Sequence, residues 1–227
     1  MFNKKLTILI AGFLLAPHVM AASCSLSDKD GFHVSGENLC LGEVDYVDGM
    51  AKNRQLDINS FKIINDDMVV YTAKSSLGSF LMLGTSKGNV KIFGDMPSNE
   101  VEKNISMISN VNVYMNDLDI YFLSDAWVTS GAIHRIKWQQ LLDVLDNSPI
   151  TIDDIEYVTN GNSLYVIQKG KYQGHIITEK HKYKDGGGSH DAYYLISPDG
   201  TEIKKIGVYK EQVNDFLYES GTKELIK

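Results

Sequence analysis

Beyond residue 40, short apolar runs alternate with clusters of Asn, Asp and Gly along most of the chain. Within the runs, β-branched and aromatic residues recur with the period of a strand that has one buried face. Asn, Asp and Gly tolerate the positive φ angles of tight turns. The pattern therefore predicts a mainly β fold of antiparallel hairpins arranged as a meander. The predicted hairpins are Phe61–Tyr71, Phe80–Phe93, Val111–Tyr121, Ile155–Tyr165 and Ala192–Ile206.

Three of these hairpins share one layout, in which an apolar start and a polar centre lead to a tyrosine. The tyrosines are Tyr71, Tyr121 and Tyr165, at intervals of 50 and 44 residues. Repeated four-stranded blades have such a period, so a propeller-like or duplicated arrangement is one interpretation. Unrelated hairpins share the same alternation and turn residues, so a plain meander is the other.

Apolar residues at helical spacing predict a few short helices between the strands. The predicted helices are Ser98–Ile108, Trp138–Leu145 and, as a weaker candidate, Glu211–Tyr218. No long linker or low-complexity region follows the first two dozen residues. The sequence therefore predicts a single mainly β domain over residues 23–227.

Residues 1–22 have the build of a bacterial secretory signal peptide. Lys4 and Lys5 precede an apolar run from Leu6 to Ala16, and small residues follow it. This pattern predicts export to the periplasm. The run is shorter than the roughly 20 apolar residues that span a bilayer, and no later segment reaches that length. We therefore expect no transmembrane segment.

The charge balance is acidic, with 29 acidic and 22 basic residues and a net charge of −7. Loss of Lys4 and Lys5 with the signal peptide makes the mature chain more acidic still. Such a surface repels nucleic acid and anionic lipid, so we expect no nucleic-acid partner. It favours a basic protein partner, although solubility alone also explains it.

Cys24 and Cys40 are the two cysteines of the chain. In an oxidising compartment, two thiols 16 residues apart most simply form one disulfide. The alternative is a lipid anchor at Cys24, because residues 21–24 resemble a lipoprotein cleavage box. Lipidation of Cys24 would leave Cys40 as a free thiol.

The segment Gly84–Gly88 formally fits the G-x-S-x-G nucleophile motif, with Ser86 at its centre. That motif requires a turn from a strand into a helix. The residues that follow alternate as a strand, so a hairpin turn is the better interpretation. Adjacent acids elsewhere fall in predicted turns that face water, where general acid–base catalysis has no cleft. We expect no enzymatic activity and no cofactor.

His175, His181 and His190 lie within 16 residues of one another, beside Asp185 and Asp191. Imidazole and carboxylate groups together can bind a transition metal, which makes these histidines weak metal candidates. Their spacing matches no closed zinc pattern, and a glycine-rich segment separates them. We interpret the region as a solvated polar loop.

Tyrosines and acidic residues next to loops are candidates for a contact surface, because Tyr combines apolar area with a hydroxyl group. The candidate partner-binding residues are Trp127, Tyr172, Tyr183, Asp185, Asp191, Tyr193 and Tyr194.

Residues 44–64 resemble the repeat of DKNYY-type bacterial exported proteins, at Tyr46, Gly49, Ser60 and Phe61. The signature Asp-Lys-Asn-Tyr-Tyr string is absent, and Asp67–Tyr71 would be its much-changed counterpart. The resemblance covers about a tenth of the chain. It implies an all-β repeat protein and brings no catalytic residue with it.

Export, an acidic surface rich in tyrosine and the lack of a catalytic pattern favour a periplasmic binding protein. We expect an inhibitor or immunity protein that occludes a basic toxin or hydrolase. Two alternatives stay open. One is a periplasmic hydrolase or metal-binding enzyme that uses Ser86 or the histidines, and the other is an accessory envelope lipoprotein.

Overall fold

The computed structural model describes residues 32–35, 38–41, 57–85, 88–125, 130–145, 148–183 and 186–222. Within these ranges the chain forms fourteen strands and two α-helices, so the prediction of a mainly β fold is confirmed. The predicted signal peptide, Cys24, Tyr46 and Gly49 lie outside the described residues. Among the described residues, neither helix has the length and apolar character needed to cross a bilayer.

Twelve strands form three four-stranded antiparallel sheets. Sheet 1 contains β3 (Asp57–Asn65), β4 (Met68–Ser75), β5 (Gly78–Thr85) and β6 (Gly88–Gly94). Sheet 2 contains β7 (Asn110–Tyr114), β8 (Asp119–Asp125), β9 (Gly131–Ile136) and β10 (Glu156–Asn160). Sheet 3 contains β11 (Tyr165–Val166), β12 (Ile176–Tyr183), β13 (Ser189–Ile196) and β14 (Glu202–Gly207).

The remaining elements flank these sheets. Strands β1 (Phe32–Ser35) and β2 (Asn38–Leu41) pair as a separate hairpin, in which Cys40 lies opposite His33. Helix α1 (Trp138–Leu145) connects β9 to β10, and helix α2 (Lys210–Glu219) follows β14.

The strands of each sheet follow one another in sequence, so the predicted meander is confirmed. The same up-and-down order recurs in all three sheets, and it is the strand order of a propeller blade. The first strands of consecutive sheets also contact each other, β3 with β7 and β7 with β11. The described part of the chain therefore repeats one four-stranded unit.

Apolar clusters fill the spaces between consecutive sheets. Between sheets 1 and 2, Phe93 packs with Phe122 and Ile136, and Leu141 of α1 joins this cluster. Between sheets 2 and 3, the cluster contains Tyr121, Ile133, Val166, Tyr194 and Ile196. Because each sheet buries residues on both faces, its strands show long buried runs as well as simple alternation.

Further clusters cover the two outer faces of the stack. Leu39 of the β1–β2 hairpin packs on the outer face of sheet 1, next to Val69 and Tyr71. On the outer face of sheet 3, Phe216 and Leu217 of α2 pack with residues that include Ile177 and Leu195. Helix α2 buries one stripe of its surface in this way, as the helical spacing predicts.

The turn chemistry places most of the predicted hairpins correctly. At the β3–β4 turn, Asn65 Oδ1 accepts a hydrogen bond from the Asp67 amide at 2.9 Å. At the β13–β14 turn, the Ser197 hydroxyl accepts one from the Thr201 amide at 3.1 Å. Strands β5 and β6 pair as the predicted hairpin on either side of residues 86 and 87. Ser86 itself lies outside the described residues.

One predicted hairpin, Ile155–Tyr165, is wrong. Strand β10 pairs with β9 in sheet 2, whereas β11 pairs with β12 in sheet 3. The polar segment between β10 and β11 is bonded to β9, since the Gly161 amide donates to the Gly131 carbonyl at 2.9 Å. Asn162 Oδ1 accepts from the Gly131 amide at 3.0 Å. Turn-forming residues here connect two sheets instead of two paired strands.

The predictions of α1 and α2 are confirmed, but the predicted helix Ser98–Ile108 is wrong. This segment forms a single 3-10 turn at Val101–Lys103. Ile105 then pairs with Met96, with backbone hydrogen bonds of 2.7 and 3.0 Å. The side chains of Ile105 and Ile108 are buried between sheets 1 and 2. The apolar spacing that suggested a helix reflects this packing of an irregular segment.

Candidate partner-binding surface

Strands β12 and β13 extend beyond the strands on either side of them. Strand β11 pairs with Ile176 and Ile177, and β14 pairs with β13 between Tyr193 and Ile196. The remaining paired residues, Lys180–Tyr183 with Ser189–Ala192, form a two-stranded projection. We call this projection the arm. Near its tip, a Cβ atom added to Gly186, Gly187 or Gly188 would meet no atom within 4 Å.

The two faces of the arm differ in exposure. Side chains alternate along each strand, so Lys180 and Ala192 share one face, while His181 and Asp191 share the other. Lys180 and Ala192 are buried, whereas Asp191 and Tyr183 are exposed. We call the first the inner face and the second the outer face.

On the outer face, His181 contacts both Asp191 and Tyr183. His181 Nδ1 lies 2.8 Å from Asp191 Oδ1, so the carboxylate fixes the orientation of the imidazole. The rings of His181 and Tyr183 meet edge to face, with centroids 5.0 Å apart and planes at 85°. Tyr183 nevertheless keeps 74% of its surface exposed. Tyr183 therefore contacts His181 on one side and presents most of its surface to solvent.

Carboxylates surround the base of the outer face. Glu179 lies opposite Tyr193 in the β12–β13 register, and Glu211 lies on the first turn of α2. Burial raises the pKa of Tyr193, and the negative charges of Glu179 and Glu211 raise it further. Within the described part of the chain, Glu179 and Glu211 belong to none of the ion pairs. This region therefore presents unneutralised negative charge beside an aromatic ring.

On the inner face of the arm, two lysine side chains are hydrogen-bonded. Lys180 Nζ donates to Thr159 Oγ1 of β10 at 2.9 Å and lies 3.4 Å from Glu202 Oε2. Lys182 Nζ donates to both carboxylate oxygens of Glu202, at 2.8 and 2.9 Å, and lies 4.3 Å from the centroid of the Tyr194 ring. These contacts join the arm to sheet 2 and to β14.

The structure separates the predicted surface residues into two groups. Tyr183, Asp191 and the half-buried Tyr193 lie on the outer face. Tyr194 is 5% exposed in the cluster between sheets 2 and 3, so it cannot belong to an exposed surface. Tyr172 is half-buried against Phe216, with ring centroids 5.4 Å apart. Trp127 and Asp185 lie outside the described residues.

The three histidines named as metal candidates do not come together. His181 and His190 lie on opposite faces of the arm, because His190 pairs with Lys182 and not with His181. His175 precedes β12, and its ring lies against the Tyr172 ring with centroids 5.5 Å apart. In the described ranges, no group of three or more His, Cys, Asp or Glu side chains converges as a metal site.

A second charged cluster, on sheet 2, was not recognised in the sequence. Arg135 Nε donates to Glu156 at 3.0 Å, and Arg135 lies 3.7 Å from Asp119. Burial raises the pKa of Asp119, and the charge of Arg135 opposes this effect. For Glu156, burial raises the pKa, but bonds from Lys137 and Arg135 outweigh it and the pKa is lowered. The three residues come from three strands, so their spacing in the sequence gives no signal.

A cavity of about 350 Å³ lies beside the segment that was wrongly predicted to be a helix. It is lined by Met96, Pro97, Ser98, Lys103 and Ile152. The lining is mostly apolar, and Lys103 forms an ion pair with Glu100 at 3.1 Å. Among the described residues that line it, Ser98 and Lys103 supply the polar groups.

Comparisons with protein-family models, with curated proteins and with solved structures find no match. The resemblance to DKNYY-type proteins therefore stays a prediction. The fold and the surface define an antiparallel β protein of three consecutive four-stranded sheets with an exposed arm.

Proposed function

We propose that this protein is a periplasmic binding protein, an inhibitor or immunity protein that occludes a basic toxin or hydrolase with the outer face of its arm. The observation that supports this function best is the trio of Tyr183, His181 and Asp191. Tyr183 packs against one neighbour, His181, and the carboxylate of Asp191 in turn orients that imidazole. A tyrosine supported in this way costs less entropy when a partner covers it.

The charges near the trio favour a basic partner. Asp191, Glu179 and Glu211 all lie on or beside the outer face, and the whole chain has a net charge of −7. Complementary charge accelerates the encounter and selects against acidic partners. A lysine or arginine of the partner would contact the carboxylates while Tyr183 enters its cleft.

Affinity capture with the purified mature chain tests this proposal. The bait is exposed to an envelope extract of the producing cell or of a competing cell, and captured proteins are then purified for titration calorimetry. Tyr183→Ala is expected to weaken binding by about 2 kcal/mol or about 30-fold in Kd, as for a hot-spot residue. Binding should also weaken as salt rises, because the charged contacts are screened.

Tyr218→Ala is the matched control, since Tyr218 is 77% exposed but lies on the last turn of α2. Its Kd should stay within about twofold of the wild-type value, because truncating a residue outside the contact changes little. Failure to capture any protein at low salt would count against the proposal. Equal effects of Tyr183→Ala and Tyr218→Ala would remove the arm from it.

The bond between His181 and Asp191 also supports a second candidate, a hydrolase. A carboxylate on Nδ1 orients an imidazole so that Nε2 can accept a proton. Purified protein would be assayed against ester, peptide and glycan substrates. Abolished turnover in His181→Ala with an unchanged melting temperature would favour this candidate, and the absence of turnover in the wild-type protein would eliminate it.

Export and the state of Cys24 belong to the same proposal. We expect cleavage after residue 22 and a disulfide between Cys24 and Cys40, which gives a diffusible protein. Mass spectrometry of the mature amino terminus checks both expectations. A diacylglyceryl group on Cys24 would instead identify a tethered envelope protein.

A further inference from the structure

The most unusual charged group in sheet 3 is a lysine that belongs to the arm and is buried on its inner face. Lys180 lies on the inner face, and its side chain is 8% exposed. Its ammonium group donates to Thr159 Oγ1 of sheet 2 at 2.9 Å. Glu202 Oε2, at 3.4 Å, supplies the neighbouring negative charge.

This buried lysine contributes little to the stability of the fold compared with an apolar residue of similar size. The Glu202 carboxylate is shared with Lys182, whose bonds to it are shorter. Burial lowers the pKa of Lys180, and the attraction of Glu202 does not offset that effect. Buried ion pairs of this kind can often be replaced by apolar residues without loss of stability. The bonds of Lys180 do, however, require one defined position of the arm relative to β10.

The acceptors of Lys180 are themselves held in place. Thr159 is buried within β10, and Glu202 follows the β13–β14 turn at Gly200. A Cβ atom on Gly200 would lie 2.1 Å from the Val158 carbonyl oxygen, so this turn sits directly on β10. The bonds of Lys180 thus end on two anchored groups.

We infer that Lys180 is a positioning residue, which fixes the angle of the arm against sheet 2 so that Tyr183 is presented in one orientation. The inference rests on the proposed function only for its consequence in binding. An arm that samples several orientations is competent for binding only part of the time, and its apparent Kd rises in proportion.

The position of the arm is measured without any partner. Spin labels introduced as unnatural amino acids at Ser189 on the arm and Asp153 before β10 report their distance distribution by pulsed electron spin resonance. Both positions are exposed. The otherwise unchanged chain should give one narrow distribution. Lys180→Met should broaden it about twofold as the arm samples further orientations, while the melting temperature stays the same or rises.

Thr159→Val removes the hydroxyl group that accepts the hydrogen bond of Lys180. It should broaden the distance distribution in the same way. Lys182→Met is the control, because Lys182 is half-buried and makes no bond to sheet 2 among those described. An unchanged width in both Lys180→Met and Thr159→Val would overturn the inference, as would equal broadening in Lys182→Met. If the arm loosens but no partner binds the wild-type chain, the proposed function fails and the role of Lys180 stands.

Discussion

Sheet 2 has two packed faces, and they differ in the hydrogen bonding of their buried polar side chains. On the face toward sheet 1, His134 is fully buried, and neither ring nitrogen has a hydrogen-bond partner among the described residues. It stacks on Phe122 with ring centroids 5.2 Å apart. On the face toward sheet 3, Tyr121 contacts Arg135, and Thr159 binds the ammonium group of Lys180.

The difference separates two tasks of a buried contact. The interface between sheets 1 and 2 is held by apolar area and shape, and it tolerates an unpaired imidazole only while that ring is neutral. At the interface between sheets 2 and 3, the hydrogen bond from Lys180 to Thr159 crosses from one sheet to the other and restricts their relative position. The first interface should respond most strongly to lost volume and to pH. The stability of the second interface should respond to substitutions that disturb close backbone contacts between sheets 2 and 3.

Adjacent residues on β8 allow the strongest test of this contrast. Phe122 faces sheet 1 and Tyr121 faces sheet 3. Phe122→Ala should destabilise the protein by about 3–5 kcal/mol, because it leaves a cavity beside Phe93 and His134. Tyr121→Phe keeps the ring and removes only a hydroxyl group, so it should cost about 1 kcal/mol. Denaturant unfolding measures both, and equal losses would show that the two faces do not differ.

The neutral state of His134 predicts acid sensitivity. Burial lowers the pKa of His134 to about 4, below its ordinary value of 6.5. As the pH falls from 6.5 to 4, His134 is therefore protonated in the unfolded chain but stays neutral in the folded chain. The free energy of unfolding is highest above pH 6.5, and it decreases by about 3 kcal/mol between pH 6.5 and pH 4.

His134→Leu should flatten this part of the pH profile, as measured by denaturant unfolding between pH 4 and 8. Measurements at pH 8 serve as the control, since His134 is neutral there in both states and the variant reports packing alone. Tyr157 is the one titratable group within ring contact of His134 among the described residues, at 5.8 Å. A profile with the same slope in the variant would contradict the assignment.

The smallest expected difference concerns two glycines with similar backbone angles. Gly200 and Gly186 have φ values of 88° and 91°, so alanine is strained at both. At Gly200 the added Cβ also collides with the Val158 carbonyl, whereas at Gly186 it meets nothing. Gly200→Ala should therefore cost about 1–3 kcal/mol more than Gly186→Ala. Thermal unfolding of the pair checks this, and similar melting temperatures would show that the contact of the turn with β10 is loose.

The elements that could be predicted from the sequence are those with a local cause. The bounds of α1 match the predicted Trp138–Leu145, because its leucines lie at helical spacing and Pro149 follows soon after. Turns rich in Asn and Asp located β3–β4 and β7–β8. The predicted helix Ser98–Ile108 is wrong because Ile105 is buried by packing between sheets and not on the apolar face of a helix.

The candidate surface was predictable only in part. The exposure of Tyr183 and Asp191 follows from their place beside a glycine-rich loop. The burial of Tyr194 does not, because it depends on which face of β13 meets sheet 2. The bond between His181 and Asp191 requires the register of β12 and β13, which a turn containing three glycines does not specify. The burial of Lys180 has no signal in the sequence for the same reason.

The outward side of α2 has a consequence for solubility. Its buried stripe covers Ile177 and Leu195, while Glu211, Asp215 and Glu219 face solvent. In stacks of repeated units, a terminal element with one apolar and one polar side acts as a cap. Helix α2 covers sheet 3 in this way, so a variant truncated before Lys210 would expose an apolar sheet face and self-associate.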